Sequence, residues 1–108
     1  MSDRTVTRVA GAQDVAAGED VRVEVDGAPV CLVNLGEAGF RAVGDVCSHA
    51  EAFLHEGDVD IDDETVECPK HGSAFDLNTG AARSLPATHP VPAYVVTTEG
   101  DDILIEVK

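Results

Sequence analysis

Two cysteines and two histidines fall in two tight pairs, Cys47-Ser48-His49 and Cys68-Pro69-Lys70-His71. Each pair joins one sulfur donor and one nitrogen donor among loop-forming residues, which is the composition of a metal site. Their order matters. A usual zinc finger reads two cysteines and then two histidines, whereas here each segment supplies one of each. Two such loops brought tip to tip place both thiolates on one metal and both imidazoles on a second. That arrangement fits a [2Fe–2S] cluster in which two histidines replace two cysteines on one iron. A mononuclear zinc module uses the same four residues and stays open at this point. Colour and sulfide content separate the two.

The flanks extend the pattern. The first pair is followed by Leu54-His55-Glu56-Gly57, and the second runs Glu67-Cys68-Pro69-Lys70-His71-Gly72-Ser73-Ala74-Phe75-Asp76-Leu77-Asn78-Thr79-Gly80. A proline segment, Leu85-Pro86 to Pro90-Val91-Pro92, comes next. Together these resemble the Rieske ferredoxins, the small electron carriers of multicomponent aromatic ring-hydroxylating dioxygenases. The resemblance covers almost the whole chain. It implies one [2Fe–2S] cluster with Cys47 and Cys68 on the inner iron and His49 and His71 on the outer, solvent-facing iron. His55 and His89 have no place in the two-box pattern and read as surface residues.

The elements that must position these boxes are short strands. Val21-Arg22-Val23-Glu24-Val25 alternates apolar and polar residues, the period of a half-buried strand. Asp26-Gly27 then turns the chain into the apolar run Val30 to Leu35, so a hairpin is predicted. Gly36 to Gly39 leads into Phe40-Arg41-Ala42-Val43. Further strands are predicted at Val6 to Val9, Asp58 to Ile61, Thr65 to Glu67, Ala74 to Leu77, Tyr94 to Thr98 and Ile103 to Val107. Tight turns are predicted at Asn78-Thr79-Gly80 and Glu99-Gly100-Asp101. Helical signals are weak, a turn or so at Ala12 to Ala17 and at Ala50 to Leu54. The fold class is therefore all-β, small antiparallel sheets in a single domain over residues 1–108. Residues 44–80 form an inserted cluster-binding subdomain, with the loops 47–57 and 68–74 together at one tip. Leu54 and the Pro86 to Pro92 loop are expected to cover the cluster.

A chain of 108 residues supports one modest core. No run of apolar residues is long enough to span a membrane. The start, Met1-Ser2-Asp3-Arg4-Thr5, lacks the features of a signal peptide, so the cytoplasm is expected. Cys31 lies in an apolar strand and reads as a buried, unreactive thiol. With the other two cysteines used as ligands, no pair remains for a disulfide. The net charge of −14, with Lys70 and Lys108 the only lysines, excludes nucleic acid as a partner. An acidic surface suits either a salty cytoplasm or steering toward basic patches on redox partners.

Departures from the family bear on redox tuning. High-potential members tie their cluster loops with two additional cysteines, and the matching positions here are Ala52 and Lys70. Those members also place serine and tyrosine hydroxyls near the cluster sulfurs. Ser73 keeps the serine, and Phe75 stands where the tyrosine would be. Fewer donors and a strongly negative chain imply a potential toward the lower end of the Rieske range, whose floor is about −150 mV.

The resemblance implies a monomeric carrier that is not itself an enzyme. It takes single electrons from an NAD(P)H-dependent ferredoxin reductase and passes them to a terminal oxygenase. A small subunit of assimilatory nitrite reductase, and a protein associated with iron–sulfur cluster assembly, are alternatives with the same cluster. Replacing Cys31 with Ser is expected to leave iron and sulfide content unchanged, because Cys31 belongs to neither box. Loss of the cluster from a folded Cys31→Ser protein would overturn the ligand assignment.

Overall fold

The computed structural model describes residues 6–9, 15–25, 27–48, 52–70, 72–84, 89–99 and 102–107. Among them, nine strands run in chain order: β1 (Val6–Val9), β2 (Asp20–Val25), β3 (Ala28–Asn34), β4 (Phe40–Gly44), β5 (Val59–Asp60), β6 (Thr65–Glu67), β7 (Ala74–Asp76), β8 (Ala93–Glu99) and β9 (Asp102–Val107). Every pairing is antiparallel. Six strands form one sheet in the order β1-β9-β8-β4-β3-β2, and β5-β6-β7 form a second. The all-β expectation holds. The only helical elements among the described residues are single 3-10 turns at Gly36–Ala38 and Leu54–Glu56. The second starts where the weak helical signal at Ala50 to Leu54 ends. Ala12 to Asp14, half of the other signal, lie outside the described residues, and Val15 to Ala17, its other half, form no helix; Gly100 and Asp101 of the last predicted turn also lie outside.

The β2–β3 hairpin forms as its alternation predicts, with Val25 paired to Ala28 and Gly27 at φ +82° closing the two-residue turn. β3 explains its own sequence. Side chains alternate across a strand, so a run apolar at every position needs a core on each face. Val30 and Leu32 pack with Val25, Ala42, Ile103 and Ile105 in the core of the large sheet. Cys31 and Val33 face the other way, into a second core with Val43, Leu54, Val66 and Phe75. That second core also holds Cys47 and Cys68. β3 and β4 are thus the shared wall between the base of the molecule and the candidate site.

The chain leaves the large sheet after Gly44 and re-enters it at Ala93, and β4 and β8 are neighbours there. Both boxes lie on this excursion. Its two halves are fitted closely where Gly57 meets β6. A Cβ at residue 57 would overlap the carbonyl oxygen of Glu67 and come within 3.2 Å of Pro69 Cδ. The Asp58 carbonyl accepts the Glu67 N–H at 2.8 Å. The end of the first loop therefore rests directly on the residue before Cys68. Gly57→Ala would force these backbones apart, at a cost of about 3 kcal/mol. For a domain of this size that is a fall of roughly 10–20 °C in the thermal midpoint. Calorimetry of the variant checks this, and an unchanged midpoint would mean that the contact yields freely.

Candidate metal centre

The first loop is built as a short ladder. At its root the Asp45 carbonyl accepts the Leu54 N–H at 2.6 Å, and the Asp45 N–H donates to Pro29 of β3 at 3.1 Å. Above this, Val46 bridges Phe53, and the Cys47 N–H donates to the Ala52 carbonyl at 2.9 Å. Ser48 follows and is exposed. His49 lies outside the described residues. The Ser48 hydroxyl donates to the His89 carbonyl at 2.6 Å, which ties the tip to the later proline-containing segment.

The second loop is tighter. The Cys68 carbonyl accepts the Gly72 N–H at 2.9 Å, and the Cys68 N–H donates to the Ser73 carbonyl at 2.7 Å. Gly72, at φ +76°, takes a left-handed conformation that any side chain would strain. The turn puts Pro69 and Lys70 at the surface while Cys68 and Ser73 are fully buried. His71 also lies outside the described residues.

The two loops bring Cys47 and Cys68 into one apolar core, 4 % and 0 % exposed, and neither forms a disulfide. Two shielded thiols outside any disulfide, each at the foot of a hydrogen-bonded loop, fit the sulfur side of an iron–sulfur cluster. His49 and His71, the other two candidate donors in the sequence, lie outside the described residues. No three metal-ligating side chains converge among the described residues. Ala52 is buried and Lys70 exposed at the positions of the extra cysteines, so backbone hydrogen bonds close both loops. Phe75 and Leu54 are fully buried in the same core. Pro86 to Thr88, the first part of the expected cover, lie outside the described residues, whereas Val91 is buried against the core.

One expectation is corrected. His55 is not a free surface residue. Its side chain is 25 % exposed, and Nδ1 lies 2.7 Å from Oδ2 of Asp45, which is completely buried. The His55 backbone N–H donates to Oδ1 of the same carboxylate at 2.8 Å. A loop histidine next to a metal box looks like surface in a sequence, because its partner lies ten residues back and carries no motif. His89 is exposed, as expected. Cys31 is buried as expected, but its thiol donates to Asp20 Oδ2 at 3.6 Å. Burial first, and then the charges of Asp20 and Asp45, push the Cys31 thiol far up, so it stays protonated and inert. Burial likewise raises the Asp20 carboxyl to about 6, against the lowering effect of the Cys31 hydrogen bond and of His55. The acidic surface includes a cleft on the small sheet lined by Asp58, Asp60, Asp62, Asp63 and Glu67.

Residues 5–95 match the Rieske [2Fe-2S] domain family. The ferredoxin component of biphenyl 2,3-dioxygenase from Rhodococcus jostii is 39% identical over 103 residues, 95% of this chain and 94% of that protein. The 3-phenylpropionate/cinnamic acid dioxygenase ferredoxin subunit of Escherichia coli K12 is 48% identical over 94 residues, 86% of this chain and 85% of that protein. The ferredoxin of carbazole 1,9a-dioxygenase from Nocardioides aromaticivorans superposes with a TM-score of 0.90 at 38% identity, covering 96% of this chain and 99% of that one. A ferredoxin–oxygenase complex of a carbazole 1,9a-dioxygenase also matches, with a TM-score of 0.83 at 33% identity, over 94% of this chain and 92% of that one. A chain from Mycobacterium tuberculosis assigned as an NADH-dependent nitrite reductase small subunit matches at 25% identity with a TM-score of 0.84, over 99% and 98% of the two chains.

The raised Asp20 carboxyl gives a pH dependence with a definite sign. Its folded value, about 6, lies above its ordinary value of 3.8. Its contribution to stability is therefore fully present below pH 3.8 and is lost as pH rises through about 6. Asp20 is partly exposed, so screening leaves a contribution of order 1 kcal/mol. Asp20→Asn removes it. The stability of the variant relative to wild type should rise between pH 4 and 6 and level off above. Urea unfolding of both proteins across that range is the check, and a difference that does not vary with pH would refute it.

Proposed function

The chain belongs to the Rieske [2Fe-2S] domain family, and from that premise we propose that it is the ferredoxin component of a multicomponent aromatic-ring dioxygenase. One observation carries this reading. Relatives 39–48% identical, matched over at least 85% of their own length, are ferredoxin components of such systems. The family's cofactor is one [2Fe–2S] cluster, which when bound stores and releases a single electron. In this reading Cys47 and Cys68 hold the inner iron, and His49 and His71 hold the outer one. The unit that binds it is the segment of about 44–80 within the single domain 1–108.

Each part of the chain then has a task. Leu54, Phe75 and Val66 pack in the same core as Cys47 and Cys68, where they would keep water from the iron–sulfur bonds of the bound cluster. Ser48, Pro69, Lys70 and Gly72 surround the expected histidine tip and are all exposed, so a partner can approach closely there. The negative charge supplies steering toward basic partner surfaces, an effect that salt weakens. An NAD(P)H-dependent reductase supplies the electrons and a terminal oxygenase receives them. The complex of oxygenase and ferredoxin seen for carbazole 1,9a-dioxygenase supports the second half of that path. The carrier is monomeric, cytoplasmic and performs no catalysis. Among the described residues, no helix is long and apolar enough to cross a membrane. The nitrite reductase alternative rests on the weaker 25% likeness.

The purified protein should contain two irons and two acid-labile sulfides, and Cys47→Ala should lose both. Stoichiometric zinc without sulfide would refute the reading. Added to a matching reductase and terminal dioxygenase, the protein should support turnover of the aromatic substrate. A sirohaem nitrite reductase activated in its place would favour the alternative.

Lys70 sits on the exposed second loop in an otherwise acidic chain. Lys70→Glu should slow turnover at low salt while leaving the potential and spectrum near wild type. Screening should shrink the difference at high salt. Steady-state rates across a salt series check this, and equal rates at low salt would place docking on another face.

A further inference from the structure

A carboxylate with no exposed surface is costly unless every oxygen is bonded. Asp45 meets that condition through one residue. His55 gives its backbone N–H to Oδ1 at 2.8 Å and its ring Nδ1 to Oδ2 at 2.7 Å. The backbone of Asp45 is engaged as well, to Leu54 on one side and to Pro29 of the base on the other. The bonds from residues 54 and 55 therefore close the root of the first loop onto a residue anchored in the large sheet. The ladder above it, Val46 to Phe53 and Cys47 to Ala52, inherits its position from that root. A second contact secures the same side. The Phe53 ring lies 5.8 Å from the His55 ring, and the Arg22 guanidinium of β2 sits 5.3 Å from the Phe53 centroid.

We propose that His55 is a positioning residue for the cluster: through Asp45 it fixes the root of the loop 45–57 and thereby the geometry in which Cys47 and His49 hold iron. The inference rests on the proposed ligand set. A neutral imidazole with its proton on Nδ1 and an imidazolium both donate to Asp45, so the clamp does not depend on the charge of His55. What it needs is a donor at the position of Nδ1. Asparagine places an amide N–H there, whereas glutamine carries its amide further out.

The test uses His55→Asn, His55→Gln and His55→Ala in the cluster-containing protein. Two quantities are read: the EPR g-values of the reduced protein, and the rate of cluster loss in the presence of an iron chelator. Val23→Ala, whose side chain packs against the large-sheet core and not the core that holds Cys47 and Cys68, is the control for general loss of stability. His55→Asn should keep wild-type g-values and a loss rate within about twofold. His55→Gln and His55→Ala should shift the g-values and lose the cluster at least tenfold faster, while Val23→Ala leaves the g-values in place. If His55→Ala does not accumulate as folded protein, the asparagine and glutamine variants decide. Wild-type behaviour in both would overturn the inference. Equal damage in both would overturn it too, because a donor at the Nδ1 position would then not suffice. Wild-type protein lacking iron and sulfide would instead overturn the ligand assignment, and the inference with it.

Discussion

Two thiols that arrive on separate loops must be held in one dry core with no covalent tie between the loops. This constraint organises the rest of the structure. Lys70 stands on the surface and Ala52 in the wall, where two cysteines would make a bridge. The loops are closed instead by backbone hydrogen bonds at their roots, Leu54 to Asp45 in the first and Ser73 and Gly72 to Cys68 in the second. A net hydrogen bond contributes about 1 kcal/mol, so no one of them suffices. They act together because both roots rest on the same packed floor, formed by β3, Leu54, Val66 and Phe75.

That floor contains three cysteines, and their surroundings give them different chemistry. Cys47 and Cys68 stand at loop feet with backbone N–H groups engaged, next to tips rich in small and polar residues. Cys31 stands in the middle of β3 with a carboxylate on its thiol. Desolvation and two nearby carboxylates keep it protonated. Proximity to the site is therefore not enough to make a ligand, because a thiol must also be able to lose its proton when metal binds.

Charge is distributed in a related way. The molecule carries a large negative excess, yet the two carboxylates between the base and the first loop are managed individually. Asp45 is stabilised by two bonds from His55, and Asp20 is shifted toward its neutral form by burial. Among the described residues Asp58, Asp60, Asp62, Asp63 and Glu67 are exposed, and no acid but Asp45 is fully buried. A reduced cluster would add negative charge to this field, which is the physical reason for expecting a potential low in the family's range.

The sequence determined what depends on local spacing. The four candidate ligands, most of the strands and the β2–β3 hairpin were legible because metal boxes, period-two alternation and glycine turns are short-range patterns, whereas the order of the strands in the sheets was not. The apolar run of β3 marked Cys31 as buried, while its burial on both faces emerged only with the two cores. Tertiary structure decided what depends on residues far apart in the chain. Nothing in the segment around His55 marks it as the partner of a buried Asp45, and nothing near Gly57 marks its contact with Glu67. Both arise only when the excursion between β4 and β8 folds back on itself. The placement of Cys31 in the same core as Cys47 and Cys68 was hidden for the same reason: a strand pattern shows that a side chain is buried, whereas the folded chain fixes what it is buried against.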